Sequence, residues 1–331
     1  MRIGGGVLLA VLAVGGYAAL NWNDISARYA AHRLRTAGTD DDRALWAAKL
    51  VALGDAGMPE VVAVLKGEDP AWCTSTVAAI RGHLDALTPA DPRFTGCCRP
   101  LVQAIPGLSP TGADAALDLV PDFLKCPDPD AVQRSKDLVK TMLVGKSADG
   151  RVRAVRLALR PDVKMTAEVA PLLDDPSPEV RRAAILAVGP PSDETPVEDE
   201  ALFRCLHDAD PEVRNLCESA LQARGLSPEQ LTLARKLSDP EPSERLRLLL
   251  DLRWPGDAVR DPGPWLERLS RDADPAVRAG ALRVAFECHV SFGAWATRLA
   301  DGDPDPTVRR LAGYYRTQAA EVRQASFVLP E

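Results

Sequence analysis

The amino-acid sequence predicts an all-helical protein made of short repeated helical units, preceded by one membrane-spanning helix. Three observations support this prediction: a composition poor in aromatic residues, a signature that returns about every 31 residues, and an uncharged stretch near the first residue. Of the 331 residues, 46% are hydrophobic, 26% are charged and 5% are aromatic. Abundant Ala, Leu, Val and Arg with frequent Asp-Pro pairs favour many small helices over a β-sandwich.

The net charge argues against a general role in nucleic-acid binding. The chain carries a formal net charge of -7 at pH 7. A protein that binds nucleic acid needs a basic face that neutralises phosphates. We therefore expect no nucleic-acid partner. The length suits two ordinary domains or one extended repeat array.

The first segment is uncharged over 18 residues, from Ile3 to Leu20, and Trp22 follows it at the expected membrane interface. A helix of this length spans about 27 Å, close to the thickness of the hydrocarbon core. We therefore predict that residues 1–22 anchor the protein in a membrane. A cleaved signal peptide is the alternative, although its one cleavage motif, Gly16-Tyr17-Ala18, is weak. A buried helix is the third possibility.

The charges that flank this segment leave its orientation open. Arg2 favours a cytoplasmic amino terminus, whereas Arg28 and two further arginines follow on the other side. A short tail followed directly by an apolar run is common among exported bacterial chains. We therefore expect a single-pass membrane protein whose soluble part is exported to the periplasm. Residues 23–39 are expected to form a juxtamembrane linker.

Residues 40–146 are predicted to contain degenerate helical repeats. The stretch 43–72 alternates small-apolar helical runs with a Gly turn and an Asp-Pro turn. Further helical runs cover residues 111–125 and 129–144 without a clear repeat signature. We interpret this region as an extension of the array that follows it.

The seven cysteines leave the redox state open. Four of them lie upstream of the clear repeats: Cys73, Cys97, Cys98 and Cys126. These four could form two disulfides in an oxidising compartment or remain buried thiols. Cys217 falls on a buried repeat position and Cys205 at the end of the preceding helix, so we interpret them, with His207, as packed residues and predict no metal site.

Residues 147–324 carry the repeated signature, which is clearest in "DDPSPEVRRAAILAVG" at 174–189. With the valine of "EVRR" as the reference site, the copies are centred on Val152, Val180, Val213, Glu244, Val277 and Val308. The intervals of 28, 33, 31, 33 and 31 residues are typical of a helix-turn-helix repeat. We predict an α-solenoid of stacked helical hairpins, followed by a short tail at 325–331.

Proline marks the start of a helix in five copies. It stands two residues before the reference site at Pro178, Pro211, Pro242, Pro275 and Pro306. Proline is favoured in the first helical turn, where its missing N–H costs nothing, and most of the residues before it are good N-caps. Small or apolar residues follow on one helical face, which a short hairpin cannot bury without a neighbour.

An aspartate and an arginine stand six residues apart in the same five copies. The pairs are Asp175 and Arg181, Asp208 and Arg214, Asp239 and Arg245, Asp272 and Arg278, and Asp303 and Arg309. With this signature the sequence resembles the HEAT-repeat family, in particular the short bacterial type first associated with phycobilisome lyases. The resemblance implies that these ten residues form a ladder of hydrogen bonds from repeat to repeat. Arg214, for example, should bridge two turns.

The sequence contains no nucleotide-binding loop, nucleophile elbow or spaced pair of CxxC motifs, so we predict no catalytic residues and no cofactor. The HEAT resemblance implies a non-enzymatic scaffold whose second helices line a concave surface for a protein partner. A lyase-like accessory enzyme that handles a chromophore or cofactor is the alternative. Offsets of +2, +5, +6 and +9 from the reference site select Arg182, Asn215, Glu218, Gln222, Arg283, Arg310 and Tyr314. We expect them to form a positive, aromatic-edged strip for an acidic partner segment.

Overall fold

The computed structural model describes residues 22–189, 199–254 and 261–326, and all regular structure within these ranges is helical. The prediction of an all-helical protein is therefore confirmed. The chain divides into two compact units, Met1–Val169 and Ala170–Glu331.

The predicted anchor at residues 1–22 lies outside the described residues, apart from Trp22. Within the described ranges, no helix is both long enough and apolar enough to cross a bilayer. The anchor therefore stays a prediction from the sequence.

The first unit consists of short helices joined by tight turns, several of them 3-10 turns. Its helices are α1 (Trp22–Thr36), α2 (Asp40–Ala52), α3 (Met58–Leu65), α4 (Pro70–Asp85), α5 (Pro92–Ala104), α6 (Pro110–Ala116), α7 (Val120–Phe123), α8 (Pro129–Leu143), α9 (Ala148–Ala158) and α10 (Thr166–Val169). The helical runs predicted at 111–125 and 129–144 correspond to α6, α7 and α8.

Residues 23–39 form a packed helix for most of their length and not the expected linker. Helix α1 begins at Trp22 and buries Ala27, Ala31 and Leu34 against its neighbours, chiefly α2. The buried alanines allow the two helix backbones to approach closely. An unpacked linker at these positions does not agree with this helix, because a stripe of small residues packs it against the first unit.

Four helices of the first unit start with the same local signal as the clear repeats. An Asp or Ser side chain caps the first turn and proline follows it, as at Asp69-Pro70, Asp91-Pro92, Ser109-Pro110 and Asp128-Pro129. Because the side-chain oxygen accepts from the free amides of the first turn, these positions are strong helix starts.

The second unit contains the clear repeats. Its helices are α11 (Pro178–Val188), α12 (Asp199–Phe203), α13 (Pro211–Ala223), α14 (Pro228–Leu237), α15 (Pro242–Arg253), α16 (Gly263–Leu269), α17 (Pro275–Glu287), α18 (Gly293–Gly302) and α19 (Pro306–Ser326). All five signature prolines are the first residues of their helices, as predicted. Helix α11 packs on α13, α15 on α17, and α17 on α19.

The copy of the signature in α9 has a different register from the one expected. The sequence suggests Val152 as its reference site, but the contacts place Gly150 there. Ser147 caps the helix, and Arg151 donates to the carbonyl of Gly145, six residues before it. Gly150 is buried, and a Cβ on it would lie 2.5 Å from the Asp114 carboxylate. The reference site therefore carries glycine because a neighbouring carboxylate occupies the space of the usual valine.

Candidate protein-interaction surface

Each repeat turn of the second unit is closed by its own aspartate and arginine. Before α13, the Asp208 carboxylate accepts from the N–H of Asp210 at 2.8 Å, and Arg214 Nη1 donates to the Asp208 carbonyl at 2.6 Å. The corresponding contacts form in the turns of Asp175 and Arg181, Asp239 and Arg245, Asp272 and Arg278, and Asp303 and Arg309. The six-residue spacing thus lets the arginine of the first helical turn reach back to the turn before it.

Three of these arginines also bind the aspartate of the next repeat: Arg181 binds Asp208, Arg245 binds Asp272, and Arg278 binds Asp303. In each pair Nε and Nη2 donate to the two carboxylate oxygens at 2.7–3.0 Å. Such two-pronged, charge-assisted pairs define the register of neighbouring repeats.

The pair of Arg278 and Asp303 is the most buried of the three. The side chains are 8% and 2% exposed, respectively. The hydrogen bonds from Arg278 hold the pKa of Asp303 below its usual value. The carboxylate is therefore charged at neutral pH although it is buried.

The expected bridge from Arg214 to the next repeat is not formed among the described side chains. Arg214 binds carbonyls of its own turn, and the Asp239 carboxylate accepts from the N–H of Glu241. The repeat that follows is the degenerate copy, in which Glu244 occupies the reference site and pairs with Arg247.

We attribute the missing bridge to this glutamate. The corresponding valines, such as Val213 and Val277, are fully buried, whereas Glu244 remains partly exposed. A charged side chain is costly to bury at that depth, so this repeat cannot pack at its reference site as the others do. Helix α14 packs against both α13 and α15 at this position.

The charged members of the predicted strip are mostly paired with neighbours. Arg182 binds Glu212 at the start of α13, and it also lies 3.3 Å from Glu179. Arg283 Nε donates to Glu287 at 2.9 Å. Local acids therefore reduce the positive charge that was expected of these arginines.

The remaining members of the strip lie on exposed or half-buried positions. Glu218 accepts from Arg235 and is half-buried. The exposed members are Asn215, Gln222, Arg310 and Tyr314. The Tyr314 ring packs edge-on against Tyr315, at 5.3 Å between ring centres. The structure thus places all seven residues on second helices but does not make them one positive strip.

Helix α15 carries a large apolar face that the predicted strip does not include. Leu246, Leu250 and Trp254, the residue directly after the helix, are 36%, 63% and 78% exposed. They follow one another at intervals of four residues and therefore share one side of the helix. Arg253 lies over the Trp254 ring at 5.7 Å from its centre. We call Leu246, Leu250 and Trp254 the α15 face.

The signal for this face was present in the sequence. Leu246 and Leu250 occupy the same +2 and +6 offsets that selected the predicted strip, and Leu186, at +6 in α11, is also exposed. The predicted strip contains the polar and aromatic residues at these offsets and does not include the leucines. In a stacked array, however, the +6 position points away from both neighbouring repeats.

The cysteines occupy packed positions in both units. All seven are free thiols, and six are buried, including Cys205 and Cys217. Cys217 lies 3.0 Å from the carbonyl oxygen of Leu202. Within the described residues no group of three potential metal-ligating side chains occurs.

A cavity of about 420 Å³ in the first unit is lined in part by Cys97 and His83. Burial raises the pKa of the Cys97 thiol to about 11. The thiol is therefore protonated at neutral pH, whereas a nucleophilic cysteine needs its thiolate.

Comparison with protein-family models and with curated proteins gives no match for this chain. The functional conclusion therefore depends on the described residues. Among them, the α15 face is the largest apolar feature left exposed on the signature helices.

Proposed function

We propose that the chain is a membrane-anchored scaffold that binds a protein partner on the exposed side of its second helices. In this proposal the helix pairs form an α-solenoid of the HEAT type. The all-helical fold, the proline starts at 31- to 33-residue intervals and the Asp-Arg turns of the second unit support it. The uncharged stretch from Ile3 to Leu20 supports the anchor.

The exposed α15 face is the observation that carries the binding function. Scattered apolar side chains are normal on a protein surface, but three large ones along a single helix form a continuous contact surface. The tryptophan is a residue type enriched among side chains that dominate binding energy. Neighbouring ion pairs, such as Lys236 with Asp251 and Arg253 with Glu287, provide a polar rim.

The chemistry of this face defines the kind of partner. The leucines and the tryptophan suit an amphipathic helix that presents apolar anchors at helical spacing. The basic groups nearest the face, Arg247 and Arg253, are paired with Glu244 and Glu287. Apolar contact should therefore dominate affinity, and charge should contribute less.

The experiment compares co-purification by three variants of the tagged full chain with that by the parent. Leu250→Glu combined with Trp254→Glu should abolish recovery of the partner. Burial of one large apolar side chain contributes about 1.5–3 kcal/mol, so losing two weakens binding by about a hundredfold or more. Val144→Glu, at a residue of the first unit that is 83% exposed, is the matched control and should leave recovery unchanged.

The third variant reverses the charges of Arg283 and Arg310. Because Arg283 is already paired with Glu287, this variant should reduce recovery much less than the leucine and tryptophan variant. Circular dichroism checks that every variant keeps its helices. Unchanged recovery of all co-purifying proteins by the Leu250 and Trp254 variant would refute binding at the α15 face.

A further inference from the structure

Helix α1 has two apolar faces, and one of them remains open to solvent. Its first face buries Ala27, Ala31 and Leu34 in the first unit. On the opposite side Trp22, Ile25 and Tyr29 are 63%, 42% and 56% exposed. A helix that belonged to the core alone would carry polar residues on that side.

The neighbouring helix α2 extends this open face. The Tyr29 ring packs edge-on against Trp46, with 5.5 Å between ring centres. Two cations lie over the same tryptophan: Lys49 Nζ at 4.1 Å and the Arg33 guanidinium at 5.3 Å from its ring centre. Leu45, one residue before Trp46, is half exposed. Aromatic rings and long basic side chains therefore occur together along the seam of α1 and α2.

The charge of α1 is opposite to that of the whole protein. The helix contains Arg28, Arg33, Arg35 and one acid, Asp24, which gives a net charge of +2. The complete chain carries -7. Arg35 lies 3.7 Å from Glu60, which leaves Arg28 and Arg33 as the basic residues closest to the open face.

The acids of this region lie mainly at the far end of the helix pair. Asp40, Asp41 and Asp42 form the first turn of α2, next to the end of α1 and away from Trp22. Arg43 pairs with Asp40. The first two turns of α1 carry the exposed aromatic and aliphatic side chains, together with one acid, Asp24, and one arginine, Arg28.

We infer that the first two turns of α1 lie on the surface of a bilayer that contains anionic lipids, with Trp22, Ile25 and Tyr29 in the headgroup region. Trp and Tyr prefer this region, and arginines beside them attract anionic headgroups. The uncharged stretch from Ile3 to Leu20 ends two residues before Trp22, so an anchor there would bring α1 to the membrane surface. The inference rests on the anchor of the proposed function.

The test measures the depth of a probe in vesicles that contain the full chain. Ile25→Cys and Val144→Cys are each labelled with the environment-sensitive dye NBD. The signal of the unsubstituted chain is subtracted, since six of its seven cysteines are buried. Both sites replace an exposed aliphatic residue of the first unit, so they form a matched pair. Trp22→Cys provides a second probe on the open face.

Vesicles of phosphatidylcholine and phosphatidylglycerol with a spin-labelled lipid should quench the probe at position 25 at least about twice as strongly as the probe at 144. Its emission should also shift to shorter wavelength. Quenching should decrease in vesicles of phosphatidylcholine alone, and equal quenching in the two vesicle types would overturn the role of anionic lipids.

Sedimentation after a carbonate wash separates the two proposals. If the chain stays with the vesicles but the probes at 25 and 22 are quenched no more than the probe at 144, the surface position of α1 is overturned and the anchor stands. If the chain is lost from the vesicles, the anchor and the surface position are overturned together.

Discussion

Replacing Arg278 with alanine should destabilise the second unit more than the same change at any other signature arginine. Arg278 donates to both oxygens of Asp303 at 2.7 and 2.8 Å and to the carbonyls of Asp272 and Ala273 at 2.8 Å. The variant leaves the Asp303 carboxylate buried, with the N–H of Asp305 at 2.9 Å as a remaining partner.

The expected magnitude follows from these contacts. Removing one partner of a buried ion pair costs about 3–5 kcal/mol. Because Asp303 keeps the Asp305 amide, we expect about 3 kcal/mol, at the lower end of that range. Arg214→Ala is the matched control, because Arg214 makes the same turn contacts without the bridge to the next repeat. It should cost about 1 kcal/mol, the usual contribution of such hydrogen bonds.

The pH dependence of the unfolding free energy gives a second test of the Arg278–Asp303 pair. Because Arg278 lowers the pKa of Asp303 in the folded state, this carboxyl stabilises the fold above its unfolded pKa of about 3.9. The stabilisation is lost as the pH falls through the lower, folded value. The loss of unfolding free energy caused by Arg278→Ala should therefore be largest near neutral pH and should become smaller below about pH 4.

Urea titration followed by circular dichroism measures the loss of unfolding free energy for both variants. Hydrogen exchange of the α17 amides shows where the loss occurs. Equal losses for Arg278→Ala and Arg214→Ala, or a deficit of Arg278→Ala that does not change between pH 7 and pH 3, would refute the bridge as a source of stability.

Two further predictions concern packing and the anchor. Gly112→Ala should destabilise the first unit by about 1–3 kcal/mol in urea titration, because its Cβ would lie 1.8 Å from the Leu65 carbonyl oxygen. Gly82→Ala, at a helical position with open space around it, should stabilise the first unit by up to about 1 kcal/mol. A loss of stability in both variants would contradict this account. Deleting residues 1–22 should release a helical protein from membranes, whereas retention in washed membranes would indicate another attachment.

The sequence indicated which helices carry the residues of the predicted strip, but it did not indicate the charge of that strip or the α15 face. The residues Arg182, Arg283 and Tyr314, which the repeat offsets select, lie on α11, α17 and α19. The partners Glu212 and Glu287 decide how much of the arginine charge remains. Glu212 belongs to the next repeat, so its distance from Arg182 depends on how the two helices cross. A repeat pattern alone does not supply that crossing geometry.

The sequence by itself determined where the five signature helices of the second unit begin. The proline acts within one helical turn through its missing N–H, and Asp210, Asp274 and Asp305 also cap their helices, so neighbours are not needed to interpret these starts. The turn contacts between an aspartate and the arginine six residues later are equally local. For this reason the five proline starts agree with the structure residue for residue.

Only the tertiary structure decided which of these local units connect to the next. Gly150 takes the reference site of α9 because the Asp114 carboxylate fills the adjoining space, and that carboxylate comes from another helix. The bridge from Arg214 is missing because its geometry depends on a neighbouring repeat with Glu244 in place of valine. Burial and ion pairing between repeats depend on the side chains that a distant segment places at the contact. The repeat signature of one segment does not contain that information.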